Sequence, residues 1–137
     1  MDRICKILVV EDDDSVRALI GDVLDYAGYE FALASSGVEM RQALDADDFD
    51  VAIIDVALRD GEDGFLLAEV ADAKGCGVIL TTGDLDGRAR LEASGRRHVM
   101  KPFRMQQLTE LVDHVLTDTA ALCTPRPREA QPLPARS

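Results

Sequence analysis

Tryptophan is absent from the 137 residues, and aromatic side chains make up only 4 % of them. No apolar run approaches the roughly 20 residues that a membrane-spanning helix needs, so a membrane span is excluded. The N-terminus carries no charged-then-apolar leader, because its first apolar run, residues 7–10, is short and ends in acids; the expected location is cytoplasmic. Cysteine is scarce as well. Cys5, Cys76 and Cys123 are odd in number, stand at unrelated spacings and include no C-x-x-C, which predicts reduced, mostly structural thiols. Positive charge is also short: 15 Lys and Arg face 26 Asp and Glu, for a net charge of −11. A domain this acidic is repelled by phosphate backbones, which argues against direct nucleic-acid binding. What is present suits one globular domain: 47 % hydrophobic residues and a mean hydropathy of −0.04.

Two patterns alternate between residues 6 and 119. Short apolar runs at 6–10 (KILVV), 29–34 (YEFALA), 51–55 (VAIID), 77–81 (GVILT) and 98–100 (HVM) read as buried strands. Between them lie amphipathic stretches. Val16, Leu19, Ile20, Val23, Leu24 and Ala27 fall on one helical stripe, as do Leu108, Leu111, Val112, Val115 and Leu116. Further helices are predicted from residue 36 or 37 to 44 and from 65 to 73, with a small one over 87–94; Asp14 suits the N-cap of the first. Strands that are apolar throughout must be covered on both faces. The prediction is therefore an α/β domain with a doubly wound parallel sheet of five strands and helices on each side. Residues 1–119 form this domain, and 120–137, which hold four of the five prolines and no periodicity, are expected to be a disordered tail.

In such a sheet the site lies beyond the carboxyl ends of the strands. The first strand ends in Glu11 and Asp12, with Asp13 and Asp14 behind; the third ends in Asp55, the fourth in Thr81-Thr82-Gly83, and the fifth in Lys101-Pro102. Three carboxylates, a hydroxyl and an ammonium therefore converge on one crevice. Clustered carboxylates raise one another's pKa unless a cation intervenes. The donors are hard oxygens with no His or Cys nearby in sequence, which favours Mg²⁺ over zinc or copper. Carboxylates, Mg²⁺, a Lys and a Thr make a site for phosphoryl transfer, with Asp55 the candidate nucleophile.

The motifs ILVVEDD, VAIIDVAL, ILTTGD and VMKPF, in this order and each at a strand end, resemble those of two-component response-regulator receiver domains (CheY-like, with a flavodoxin-like fold). The resemblance covers residues 6–119 and implies the strand order 2-1-3-4-5. It implies that Asp55 accepts a phosphoryl group from a phosphohistidine. Asp12 would bind Mg²⁺ directly and Glu11 through water, with the Ala57 backbone carbonyl as a further ligand. Lys101 would pair with Asp55, and Thr82 with the backbone N–H groups of Ala57 and Gly83 would receive the phosphoryl oxygens. Lys101–Pro102 matches the family's cis peptide, and His98 stands where the family has an aromatic switch residue. Ala57 and Asp84 occupy the positions that tune loss of the phosphate.

The match departs from the family at Arg59, where a Pro is usual, and between Thr82 and Lys101, a stretch shorter than usual that predicts a fourth helix of about two turns. The expected protein is a stand-alone response regulator of bacterial phosphorelays, monomeric or weakly homodimeric. Its partners would be a histidine kinase or a histidine phosphotransfer protein, and its output would come through the face of helix four, strand five and helix five, or by passing the phosphoryl group on. It would catalyse only its own phosphorylation and dephosphorylation. The alternatives are a degenerate receiver that docks partners without phosphorylation, an aspartyl phosphatase, and a flavin carrier. The phosphatase is disfavoured by Ala57 where a second Asp is needed; the flavin carrier lacks both Trp and a Ser/Thr-rich loop after strand one.

Overall fold

The computed structural model describes residues 3–127. Along the chain run β1 (Arg3–Ile4), β2 (Lys6–Val10), α1 (Asp14–Tyr26), β3 (Glu30–Ala34), α2 (Gly37–Ala46), β4 (Val51–Asp55), α3 (Gly64–Ala73), β5 (Gly77–Thr82), α4 (Leu85–Ser94), β6 (His98–Met100), α5 (Met105–Asp118) and β7 (Cys123–Thr124). Five strands form one parallel sheet in the order β3-β2-β4-β5-β6. This is the order 2-1-3-4-5 of the five apolar runs. All of β4 and all but the first residue of β2 are buried, as strands covered on both faces must be.

Alternating side chains split the core in two. Leu8, Val10, Ile54 and Leu80 meet Met40, Leu67, Ala68 and Leu91 from α2, α3 and α4. Ile7, Val9, Ile53 and Ile79 meet Ile20, Leu24, Leu108 and Val112 from α1 and α5. On α1 the predicted stripe holds at Ile20, Val23 and Leu24, whereas Leu19 is 49 % exposed on the helix flank. The N-cap of α1 is Asp13, one residue before the expected Asp14; its carboxylate accepts from Ser15 N–H and Val16 N–H, and Asp14 pairs with Arg17. On the other side of the sheet, α4 is longer than expected. It has ten residues and starts at Leu85, because the Asp84 side chain caps it by accepting from Gly87 N–H at 2.6 Å.

Two expectations about the chain's extremities are corrected. Cys5 and Cys123 are joined in a disulfide, so only Cys76 is a free thiol among the described residues. The segment after α5, expected to lack structure, is held through its first residues. Cys123 and Thr124 pair in parallel with Arg3 and Ile4, and Arg126 N–H donates to Gly28 O at 2.8 Å. Proline content spoke for disorder, but a covalent link and backbone pairing at the foot of the sheet outweigh it. Residues 128–137 of the expected tail lie outside the described residues.

Candidate functional site

The parallel register brings the predicted residues together. Asp55 ends the central strand β4 opposite Thr81 of β5, and Thr82 pairs with Met100 of β6, immediately before Lys101. β2 delivers Glu11, whose N–H donates to Ala34 O at 3.0 Å and carries the strand direction to the crevice. Glu11, Asp55 and Thr82 are all buried. The helix α3 starts close to this point because Gly64 has no side chain: a Cβ there would lie 2.4 Å from Val56 Cα and 2.6 Å from Asp55 O. That requirement is one the sequence did not reveal.

Asp55 is tied on both oxygens. Lys101 Nζ donates to Oδ2 at 2.9 Å, and the Ala57 N–H donates to Oδ1 at 2.9 Å. The same ammonium forms an ion pair with Glu11 Oε1. Burial alone would lower the Lys101 pKa, but Glu11 and Asp55 outweigh it and hold the ammonium above its ordinary value. Burial pushes the Glu11 carboxyl up, more than Lys101 and the Asp13 N–H hold it down. The Lys101–Pro102 peptide is cis, as the motif implied.

Carboxylate oxygens of Glu11, Asp12 and Asp55 all lie within 4.8 Å of one another. Glu11 Oε1 is buried and, despite its ion pair, has no aligned hydrogen bond. A buried carboxylate oxygen with no aligned hydrogen bond, inside a set of hard oxygen ligands, suits a small divalent cation such as Mg²⁺. Asp12 is turned to a residue that sequence reasoning treated only as a departure. Arg59 N–H donates to Asp12 Oδ2 at 2.5 Å, and the Arg59 guanidinium lies 3.9 Å from Asp12 and 3.7 Å from Asp13. Its standing where a Pro is usual gave no sign of this contact.

The remaining candidates lie around the rim. Gly83 is exposed, 3.7 Å from Lys101 Cβ when a Cβ is built on it. Asp84 is the cap of α4, and Ala57 bridges to Asp63. His98 is half-buried on β6, and its Nδ1 lies 2.9 Å from Arg96 O; a carbonyl only accepts, so Nδ1 carries the proton. His98 therefore has a local partner in Arg96 O.

Residues 7–113 match the response regulator receiver domain family. Among the relatives is the transcriptional regulatory protein GltR of Pseudomonas aeruginosa, 33 % identical over 118 residues, which cover 81 % of this chain and 48 % of that protein. The TorCAD operon transcriptional regulatory protein TorR of Escherichia coli is 28 % identical over 114 residues, covering 80 % of this chain and 49 % of that one. The chain thus spans about half the length of these relatives. Among solved structures, the CheY-like receiver domain protein of Methanospirillum hungatei superposes with a TM-score of 0.75 at 26 % identity, covering 85 % of this chain and 97 % of that one. The response regulator TrrA of Thermotoga maritima, in complex with Mg²⁺ and BeF, gives a TM-score of 0.72 at 28 % identity, covering 82 % and 100 %. With its four motifs meeting at the ends of β2, β4, β5 and β6, the chain belongs to the response regulator receiver domain family.

Proposed function

We propose that this domain accepts a phosphoryl group on Asp55 from a phosphohistidine of a histidine kinase or a histidine phosphotransfer protein, in an Mg²⁺-dependent reaction. The observation that carries the reading is the setting of Asp55. Its carboxylate is buried at the end of the central strand, bonded to Lys101 and the Ala57 N–H, within reach of Glu11 and Asp12. An Asp55 oxygen attacks phosphorus; the phosphorus–nitrogen bond of the donor breaks, its electron pair stays with the imidazole, and an acyl phosphate forms. Lys101 then answers the charge on a phosphoryl oxygen, with the Thr82 hydroxyl and the N–H groups of Ala57 and Gly83 donating to the others. Glu11, Asp12, Asp55 and the Ala57 carbonyl would hold Mg²⁺, which would supply further neutralisation of charge on those oxygens.

The domain acts on no other substrate: its chemistry is its own phosphorylation and the hydrolysis of its acyl phosphate. The Ala57 methyl has no polar atom to orient an attacking water, which leaves Asp84 the candidate for that task. Output follows from a shift in a two-state equilibrium of the face formed by α4, β6 and α5, read by another protein. The test is incubation with an acyl phosphate and Mg²⁺, followed by intact mass. Wild type gains one phosphoryl group and Asp55→Asn gains none. An unmodified wild type, with partner binding retained, would instead establish a phosphorylation-independent docking module.

A further inference from the structure

Thr82 is fully buried, and its hydroxyl is not among Asp55's hydrogen-bond partners in the structure. Those partners are Lys101 and the Ala57 N–H, whereas Thr82 Oγ1 accepts a long bond of 3.4 Å from the Asp84 N–H, beneath the first turn of α4. What makes room for it there is Gly87. A Cβ built on Gly87 would lie 2.2 Å from Thr82 Oγ1 and 3.0 Å from Thr82 Cβ, far inside any van der Waals contact. The helix cannot retreat freely from this contact. Gly87 N–H is fixed to Asp84 Oδ1 at 2.6 Å, and Leu91, one turn further on, is buried in the core. The buried hydroxyl and the bare backbone of Gly87 therefore share one space, which a methyl group at residue 87 would contest.

We propose that Gly87 is a positioning residue for phosphoryl transfer. The space left by its missing side chain is where the Thr82 hydroxyl rests. The hydroxyl leaves that space when it turns to a phosphoryl group on Asp55, and the first turn of α4 registers the departure. This deepens the reading above and rests on Asp55 as the phospho-acceptor. A glycine within a helix is ordinarily less favourable than alanine. At residue 87 that penalty coincides with the one place where a side chain would evict the hydroxyl. Gly87→Ala moves the hydroxyl towards the crevice before any phosphate arrives, and so biases the resting domain towards its phosphorylated arrangement.

The test compares free wild type, wild type with Mg²⁺ and beryllofluoride (a phosphoryl mimic), and free Gly87→Ala by amide NMR. In the free variant the signals of Thr82, Asp84 and Arg88 lie displaced along the line from free to beryllofluoride-bound wild type. Its apparent beryllofluoride affinity rises roughly threefold or more. In a Thr82→Ala background, adding Gly87→Ala still crowds the Cβ of residue 82 and Asp84 Oδ1, each at 3.0 Å, but leaves no hydroxyl to turn, so no displacement along that line appears. This second pair also keeps the idea testable if Gly87→Ala alone does not fold. Signals at the free wild-type position, displacement off that line, or an effect that persists without the Thr82 hydroxyl overturns the proposal. A wild type that responds to neither beryllofluoride nor an acyl phosphate marks a different failure, that of Asp55 as acceptor, and this inference falls with it.

Discussion

Lys101 contacts both Glu11 and Asp55 from a side chain that is 19 % exposed, and so neutralises two carboxylates that burial would otherwise penalise. Replacing it with Met leaves those charges buried without a counter-charge. Breaking such a pair on one side costs about 3–5 kcal/mol. Lys101→Met therefore lowers the urea midpoint markedly in chelator, and Mg²⁺ restores part of the loss; an unchanged midpoint contradicts the ion-pair account. Asp50 shows the complementary case at the foot of the sheet. Burial alone would raise its pKa, but two hydrogen bonds from Arg3, at 2.7 and 2.5 Å, and one from the Lys6 N–H at 2.9 Å hold it below the usual carboxylate value. A depressed carboxyl stabilises the fold above its unfolded pKa of about 4 and loses that contribution as pH falls through the lower folded value. Asp50→Asn thus weakens the domain at neutral pH and flattens the acid limb of its stability profile. Equal acid limbs for the two proteins would remove Asp50 from that account. Cys76, by contrast, is pushed up to about 11 chiefly by burial, and stays an unreactive thiol at neutral pH.

At the scale of the element, the disulfide gives the clearest prediction. It joins residues 118 apart and fastens β7 to β1. Closing so long a loop removes entropy from the unfolded chain, and Cys123→Ser or reduction should destabilise by about 2–4 kcal/mol in urea unfolding. Thiol titration of unfolded, non-reduced protein should find one thiol, Cys76; three would contradict the pairing. The sequence could not show this link. Two-residue strands have no periodicity, and cysteines at opposite ends of the chain carry no spacing signal. The five longer strands were legible for the opposite reason: an uninterrupted apolar run such as residues 51–55 must be buried on both faces, and β4 is. The start of α4 was misplaced because Leu85 is 79 % exposed and joins no apolar stripe; the signal lay in Asp84 as a cap. Asp84→Ala should cost about 1 kcal/mol of stability. It should also change the rate of phosphate loss, and an unchanged rate would restrict Asp84 to its capping role.

For the whole molecule, winding direction fixes the site. Parallel strands in the order β3-β2-β4-β5-β6 place the ends of β2, β4, β5 and β6 on one side, where the chain's acids and Lys101 collect. Glu11, Asp12, Asp55, Thr82 and Lys101 were readable because each stands at the end of a recognisable strand. Arg59, Gly64 and Gly87 were not, since their importance is a matter of distance: a guanidinium near Asp12, and two helix turns that touch neighbouring backbone or hydroxyl only because a side chain is missing. The central claim is that a divalent ion links the acids of β2 to the phospho-accepting aspartate of β4. Calorimetric titration with Mg²⁺ tests it most directly. Wild type should show saturable uptake that Asp12→Asn and Asp55→Asn each weaken severely, whereas no uptake by wild type, or equal uptake by all three proteins, would contradict it.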